Sequence, residues 1–565
     1  MLHNGQTELP LDLSHTIPNI SATIGLQALI FKLRMYDYFI KYAAIFTAAT
    51  FALWLYYVVA VYRKILINKF KKHWTGLIAS FALAGIIFSF VPVGFKVLSD
   101  ETNLLSVSRM IATRFYSVNN VQGIYLANGG YEHIQNEIPT RPLMFPFLTA
   151  CLHWLFGVAT KNIFTLNFLL FAALLFTAYC LLEKKNLFVR LLIITLLAFN
   201  GSVAIHAASA GFDLCSLVFG IWTFMALWIY MQNPNQETLT GLALTCITFA
   251  QIRYESMMIF IFVAVALYAD RKKELLKDIK GNWILIFSPL LLLPAIVQRC
   301  LTWNQFENDP KDAPFSLGHI LKHAPEFAQY MFLEYKSVYS VFLDVLGLVG
   351  IYFVARAMTK NRKDKIFFMT SFLYGLFIAL LLLAHHFGRA GFSTQYRLFM
   401  PLSVLLILAA AFAFSEGKKK IAILTVVCLV QFYFSLQYLR KDPIQLMMGK
   451  EMNLITEYLD RTKFDRPLFI FRRPGQIISV GYSAIMPSYY HKELKRIEGY
   501  LKDHTVNSIY EFALASPTVH LNETDGLTAG WTRILVDSMP MTPALSVDVY
   551  ALIYDPEKAT SAKIR

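Results

Sequence analysis

The sequence predicts an α-helical polytopic membrane protein of about 12–13 transmembrane helices, followed by a small C-terminal α/β soluble domain. Three observations lead there. Apolar residues fill 56% of the 565 positions and charged residues only 16%, where soluble domains carry about 25% charged. Long apolar stretches recur from Tyr42 to Tyr438 and then stop. Basic residues cluster in the short connections between them.

Residues 1–40 lack the basic start and short apolar core of a cleavable signal peptide, so insertion is expected to rely on the membrane segments themselves. Residues 41–440 form the expected membrane domain. Its apolar segments are Tyr42–Tyr62, Gly76–Phe95, Ile163–Leu182, Leu187–Ile205, Leu214–Met231 and Leu239–Ala250. Six more follow: Met257–Tyr268, Trp283–Val297, Tyr339–Ala357, Ile366–Ala384, Met400–Phe414 and Ile421–Tyr438. The basic clusters run from Arg63 to Lys72, at Lys184–Lys185, from Arg271 to Lys280, from Lys360 to Lys365 and at Lys418–Lys420. Short loops rich in Lys and Arg stay cytoplasmic. Placing every cluster inside makes twelve crossings self-consistent and leaves both chain ends outside. Pro142–Phe156 is apolar but short, and as a crossing it would put Lys184 and Lys185 outside. It is expected to lie shallow, or to dip in and return.

Three outer connections are long enough to be structured: Leu98–Arg141, Thr302–Val338 and the tail from Lys441. Residues 441–565 can bury a core of their own. Runs Pro467–Phe471, Ile477–Val480 and Val547–Ile553 read as strands, and His491–His504 reads as helical. The net charge of +15 belongs to the loop clusters, which argues against a nucleic-acid partner. All six cysteines lie within or at the ends of apolar segments without paired spacing, as small hydrophobes do.

The chemistry is expected on the outer face. Asp100 and Glu101 follow the second span in VLSDETN. A carboxylate costs little at the interface but about 2.5–3.5 kcal/mol at mid-bilayer, so two solvated flank charges would be unremarkable alone. They have company on the same face. Arg141 closes the long outer loop, and His206 and Asp213 sit where two spans meet. Arg253 and Glu255 interrupt an apolar run, and His385, His386, Arg389, Tyr396 and Arg397 fill another outer connection. This gathering of carboxylates, arginines and histidines suits an amphiphile with an apolar tail and an anionic head. Arginine forks bind phosphate oxygens and stabilise a departing phosphate. Such a leaving group needs little general acid, so one carboxylate base at the acceptor hydroxyl suffices. His385 and His386 are adjacent, a poor chelating spacing.

These residues resemble the GT-C glycosyltransferase superfamily, and within it the protein O-mannosyltransferase and lipid A aminoarabinose transferase branch. The likeness rests on Asp100–Glu101 after an early span, then Arg141-Pro142-Leu143 and an apolar helix ending in Phe156–Gly157. It extends to the second acidic position, Asp213, and to Tyr396-Arg397-Leu398-Phe399-Met400-Pro401. The chain departs from the pattern in its single proline after Arg141, in an extra early span and in the swapped order of Tyr396 and Arg397. The resemblance implies a GT-C-like catalytic domain that uses a polyprenyl-phosphate-linked sugar donor and inverts the sugar carbon. Its acceptor would be a lipid, glycan or protein hydroxyl. Asp100 would then be the general base and Glu101 would orient it or the acceptor. Arg141, Arg253 and Arg397 would hold donor phosphate, with His206, Asp213, Glu255 and Tyr396 lining the pocket. No cofactor is implied with certainty, and a divalent metal is left open because the branches differ. A bacterial inner membrane with the site on its periplasmic face is the expected setting.

An O-antigen ligase or polymerase would share the lipid donor but lack the early Asp-Glu pair. A transporter or flippase of lipid-linked substrates would show like halves and ionisable residues deep in its spans. Here the halves differ and the ionisable residues collect at one edge.

Overall fold

The computed structural model describes residues 22–126, 130–280, 282–302, 315–334, 338–358, 361–386, 388–391, 396–440, 447–516 and 531–555. Residues 1–21 of the expected N-terminal segment, the middle of the 302–338 connection and the end of the tail lie outside these.

The protein is a multi-pass, mostly helical membrane protein. Each of the twelve apolar segments centres on a helix. The first lies inside a helix of 51 residues, α1 (Ala22–Lys72), and α2 is Trp74–Phe90. After the outer loop and the short α4 (Met144–Phe156) come α5 (Lys161–Leu181) and the pair α6 (Leu187–Phe199) and α7 (Gly201–Ala207). Then follow α8 (Asp213–Gln232), α9 (Gln236–Ala250), α10 (Ile259–Ile279) and the broken helix α11–α12 (Trp283–Phe287 and Leu293–Leu301). Beyond α13 (Leu317–Ala328) the bundle ends with α14 (Val341–Met358), α15 (Arg362–Ala384), α16 (Tyr396–Phe414) and α17 (Lys418–Arg440).

Among the described residues, eight helices are long and apolar enough to cross a membrane, or nine with the α6–α7 pair, rather than twelve. The shortfall has local causes. Helices α2 and α9 have only 17 and 15 residues, short of the ~20 a full crossing needs, and the C-terminal half of α10 is charged. Asn200 splits α6 from α7: its side chain accepts from Val203 N as the α7 cap, and the axis bends by 66° there. The 13 residues of α4 are also too few to cross alone.

Helices α14 and α16 run in the same direction at close range. A Cβ on Gly347 would lie 2.3 Å from Leu406 O, and one on Gly350 2.6 Å from Ala409 O. Small residues permit that backbone approach, as is common between membrane helices. The contact packs α16, whose first turn carries Arg397, closely against α14.

Outside the bundle, a seven-stranded sheet runs in the order β2-β1-β4-β3-β5-β7-β6. Strands β1 (Asn119–Tyr125) and β2 (Tyr131–Glu137) come from the first outer loop; β3 (Pro467–Ile470), β4 (Ser483–Ile485), β5 (Ser508–Ala515), β6 (Trp531–Thr542) and β7 (Leu545–Tyr554) come from the tail. The join is a single pairing, Gly123 with Ala484. The first outer loop and residues 441–565 therefore share one sheet.

Strand alternation puts Leu468 and Ile470 on one face and Phe469 and Phe471 on the other. Helix α18 (Met447–Arg461) covers the phenylalanine face through Ile455 and Leu459. Helices α20 (Pro487–Lys492) and α21 (Leu494–Lys502) cover the opposite face through Tyr490 and Ile497, where a helix was expected. The run Ile477–Val480, expected as a strand, instead falls on and just after the short helix α19 (Pro474–Ser479). Strands β3 and β4 are parallel, and parallel neighbours need a crossover element. Pro474 at the start of that helix presets its first turn.

Candidate active site

The helix α3 (Leu98–Arg114) opens the first outer loop, and Glu101 caps its start. One carboxylate oxygen of Glu101 accepts from Lys96 N at 2.6 Å and from Val97 N at 3.0 Å, satisfying donors that a helix start leaves orphaned. The incoming turn is stitched from the other side too. Gly94 N donates to Ala208 O, while Asn453 of α18 accepts from Phe95 N at 2.9 Å and donates to Phe95 O at 3.2 Å.

That turn presents Asp100 to two guanidiniums. Arg141 grips it from Nε and Nη2, at 3.1 and 3.0 Å to Oδ1. Arg397 Nη2 reaches Asp100 Oδ2 at 2.9 Å, and its Nη1 contacts Asp213 Oδ2 at 3.4 Å. Asp213 Oδ1 accepts from Arg253 Nη1 at 2.6 Å, and Arg253 Nε lies 3.5 Å from Glu255. The result is an alternating relay, Arg141–Asp100–Arg397–Asp213–Arg253–Glu255, assembled from five separate parts of the chain. Phe212 lies under two of its cations, 5.2 Å from Arg253 and 6.0 Å from Arg141. Gln298 of α12 holds Arg141 by donating to both Pro139 O and Arg141 O at 2.7 Å. Asn167 of α5 does the same for the loop before Asp213, donating to Ser209 O and Gly211 O.

Burial differs along the relay. Asp100 and Asp213 are buried, whereas Arg253, Glu255 and Arg141 are partly open. Arg397 Nε is buried with no hydrogen-bond partner among the described residues. Burial opposes ionisation of Asp100, but Arg141 and Arg397 together outweigh it and hold its carboxyl well below the usual carboxylate range. Burial wins at Glu101, whose carboxyl is pushed up to about 7 despite its two backbone donors.

Six of the nine residues expected at the site stand in the relay. Glu101 lies beside it as a cap. His206 is buried nearby and faces Asp213, Arg397 and Lys96. Tyr396 turns away: its hydroxyl donates to Gly391 O and its ring packs edge-on against Tyr339. Three participants were missed in the sequence, namely Gln298, Asn453 and the buried Lys96, whose ammonium donates to Pro92 O at 2.7 Å. Only Lys96, four residues before Asp100, carried a readable signal. Among the described residues no group of three or more His, Cys, Asp or Glu could hold a metal ion.

The polytopic helical bundle with its sheet domain is a fold that this chain shares with solved structures. Crystal structures of ArnT from Cupriavidus metallidurans, one bound to undecaprenyl phosphate and one in the apo state, superpose with a TM-score of 0.51 at 11% identity, covering 84% of this chain and 98% of theirs. An oligosaccharyltransferase from Archaeoglobus fulgidus, in complex with Zn and sulfate, overlaps at 0.45 and 11% identity over 77% of this chain and 68% of that one, too loosely to carry an argument. No family model matches the sequence, and no curated protein matches it.

Proposed function

We propose that the protein is a membrane glycosyltransferase that moves a sugar from a polyprenyl-phosphate-linked donor to a lipid, glycan or protein hydroxyl, inverting the sugar carbon. The observation that carries this is the relay, in which three arginines alternate with two buried aspartates, Arg141 and Arg397 on Asp100 and Arg397 and Arg253 on Asp213. The ArnT of similar fold was crystallised with undecaprenyl phosphate, a ligand of the donor class proposed here. The site would work on the periplasmic face of a bacterial inner membrane.

The relay supplies both binding and timing. In the free protein each arginine faces a carboxylate, and Asp100 is too acidic to be a strong base. The donor phosphate offers Arg141 and Arg397 a second anion. As their forks turn to its oxygens, Asp100 loses the partners that keep it acidic, and its proton affinity rises. It then takes the proton of the acceptor hydroxyl while that oxygen attacks the sugar carbon. The glycosyl–phosphate bond breaks, and the departing phosphate keeps the electron pair beside the two guanidiniums. A base that strengthens only when donor is bound does not activate water in an empty site.

The test is turnover of polyprenyl-phosphate sugars by the full-length protein in nanodiscs, read as release of polyprenyl phosphate. Asp100→Asn should stay folded and inserted yet lose about 10²–10⁴ in rate, the usual contribution of a general base. Turnover near wild type in that variant would remove Asp100 from the base role.

A further inference from the structure

A second place in the outer layer has the makings of a ligand site. Where the first-loop hairpin meets the tail, a cavity of about 220 Å³ opens between Tyr125, Arg466, Gly481, Tyr482, Ser483 and Thr505. It is smaller than the ~300–1,000 Å³ typical of drug-sized ligands, and suits a single saccharide ring. The Tyr125 ring offers a face for sugar C–H groups, and the Ser483 hydroxyl, which accepts from Tyr125 N, keeps its proton to donate.

Among the described residues no carboxylate lines the cavity itself; the acid bonded to its wall, Asp503, is taken up by Thr505 N. Arg466 donates to His504 O at 2.9 Å, and no ion pair joins it to an acid among the described residues. Behind the wall stands Arg109 of α3, whose Nη1 would be 2.6 Å from a Cβ on Gly481. That glycine also has φ +107°, so a side chain is excluded there twice over. The Arg109 Nε is buried without a hydrogen-bond partner, and no acid pairs with this guanidinium among the described residues. Buried cations are normally paired, and one that is not leaves local positive charge uncompensated.

We infer that this cavity binds an anionic saccharide, its ring on Tyr125 and its carboxylate or phosphate drawn to Arg466 and Arg109. If the transferase reading holds, it is an acceptor subsite. Nine residues of α3 separate Asp100 from Arg109, roughly 13 Å at the helix rise, far enough to grip a unit beyond the one that is glycosylated.

Calorimetric titration of the full-length protein in nanodiscs, without donor, tests the site using glucuronate, glucose 6-phosphate, glucose and inorganic phosphate. The two anionic sugars should bind about tenfold or more tighter than glucose, the scale of one charge-assisted hydrogen bond. Arg466→Asn, which suits that residue's positive φ (45°), and Arg109→Gln should erase the preference. Without ligand, Arg109→Gln should melt at or above the wild-type temperature, because it removes a half-buried charge that no acid pairs among the described residues; a merely structural arginine would lower it. Equal binding of glucose, a preference that survives both variants, a clear loss of stability in Arg109→Gln, or phosphate binding as tightly as its sugar ester would each overturn the assignment. The titration needs no turnover. A protein that binds these sugars but releases nothing from a polyprenyl-phosphate donor would refute the transferase reading and the acceptor role, not the site.

Discussion

Arg397 occupies the middle of the relay, with an aspartate on each side and one buried N–H without a partner among the described residues. Only a planar fork spans both acids, so lysine is a poor substitute although it keeps the charge. Arg397→Lys should weaken apparent donor affinity by about 1.5–3 kcal/mol, the scale of a hydrogen bond to a charged group. If lysine matches wild type while alanine only lowers expression, the residue is an interfacial anchor instead. Glu101 predicts a pH signature. Its carboxyl lies near 4.5 when exposed and is pushed up to about 7 in the folded protein, so the folded state holds the proton more tightly. The stabilisation is complete below about pH 4.5 and is lost as pH rises through 7. Melting temperature should fall between pH 5 and 8 in wild type, and Glu101→Gln should flatten that slope. An unchanged slope in the variant would assign it to another group. The relay residues were legible because each is a charge at the outer end of an apolar segment. Tyr396 stands apart from the relay for a geometric reason: successive helical residues point about 100° apart, so a neighbour of Arg397 faces elsewhere.

At the scale of elements, the turn before α3 is held by helix α18. The Asn453 carboxamide clamps both backbone groups of Phe95, and a Cβ on Gly449 would come within 2.8 Å of Phe95 O. Asn453 is thus a positioning residue for Asp100 rather than a catalytic one. Asn453→Ala should cut kcat about tenfold or more with little change in donor KM, because misplacement of the base affects the chemical step. Asn453→Asp keeps the acceptor for Phe95 N but loses the donor to Phe95 O, so it should recover part of the rate. A loss shared equally between kcat and KM in both variants would contradict this. Nothing local marks Asn453, since a side chain that serves backbone atoms 358 positions away leaves no sequence pattern. The twelve apolar segments were readable as helices from length and composition. The break at Asn200 was not, because neighbouring packing decides whether a capping asparagine interrupts a helix.

For the whole molecule, orientation follows from the basic clusters. Lys418–Lys420 precede α17, so the tail should face outward. An impermeant thiol reagent should reach Ser488→Cys in intact cells, in a Cys300→Ser background because Cys300 is exposed. Labelling only after the cytoplasmic side is opened would invert the topology. The tail could be read as α/β, with Pro467–Phe471 and Val547–Ile553 falling on β3 and β7. Its reliance on the first outer loop could not, since strand partners so far apart in sequence share no local signal.

That distant pairing also sets an order of events during synthesis. Tyr125 N bonds to Ser483 Oγ across 358 positions, the same span that separates Phe95 from Asn453. At about 5–20 residues per second, the hairpin and the turn before Asp100 wait roughly 20–70 s for their partners to leave the ribosome. Throughout that interval most of the bundle can already be inserted while Asp100 is not yet held in place. The segment from Asn453 to Ser483 therefore completes a loop made some 358 positions earlier, and the turn before Asp100 gains its full support only once that segment has emerged.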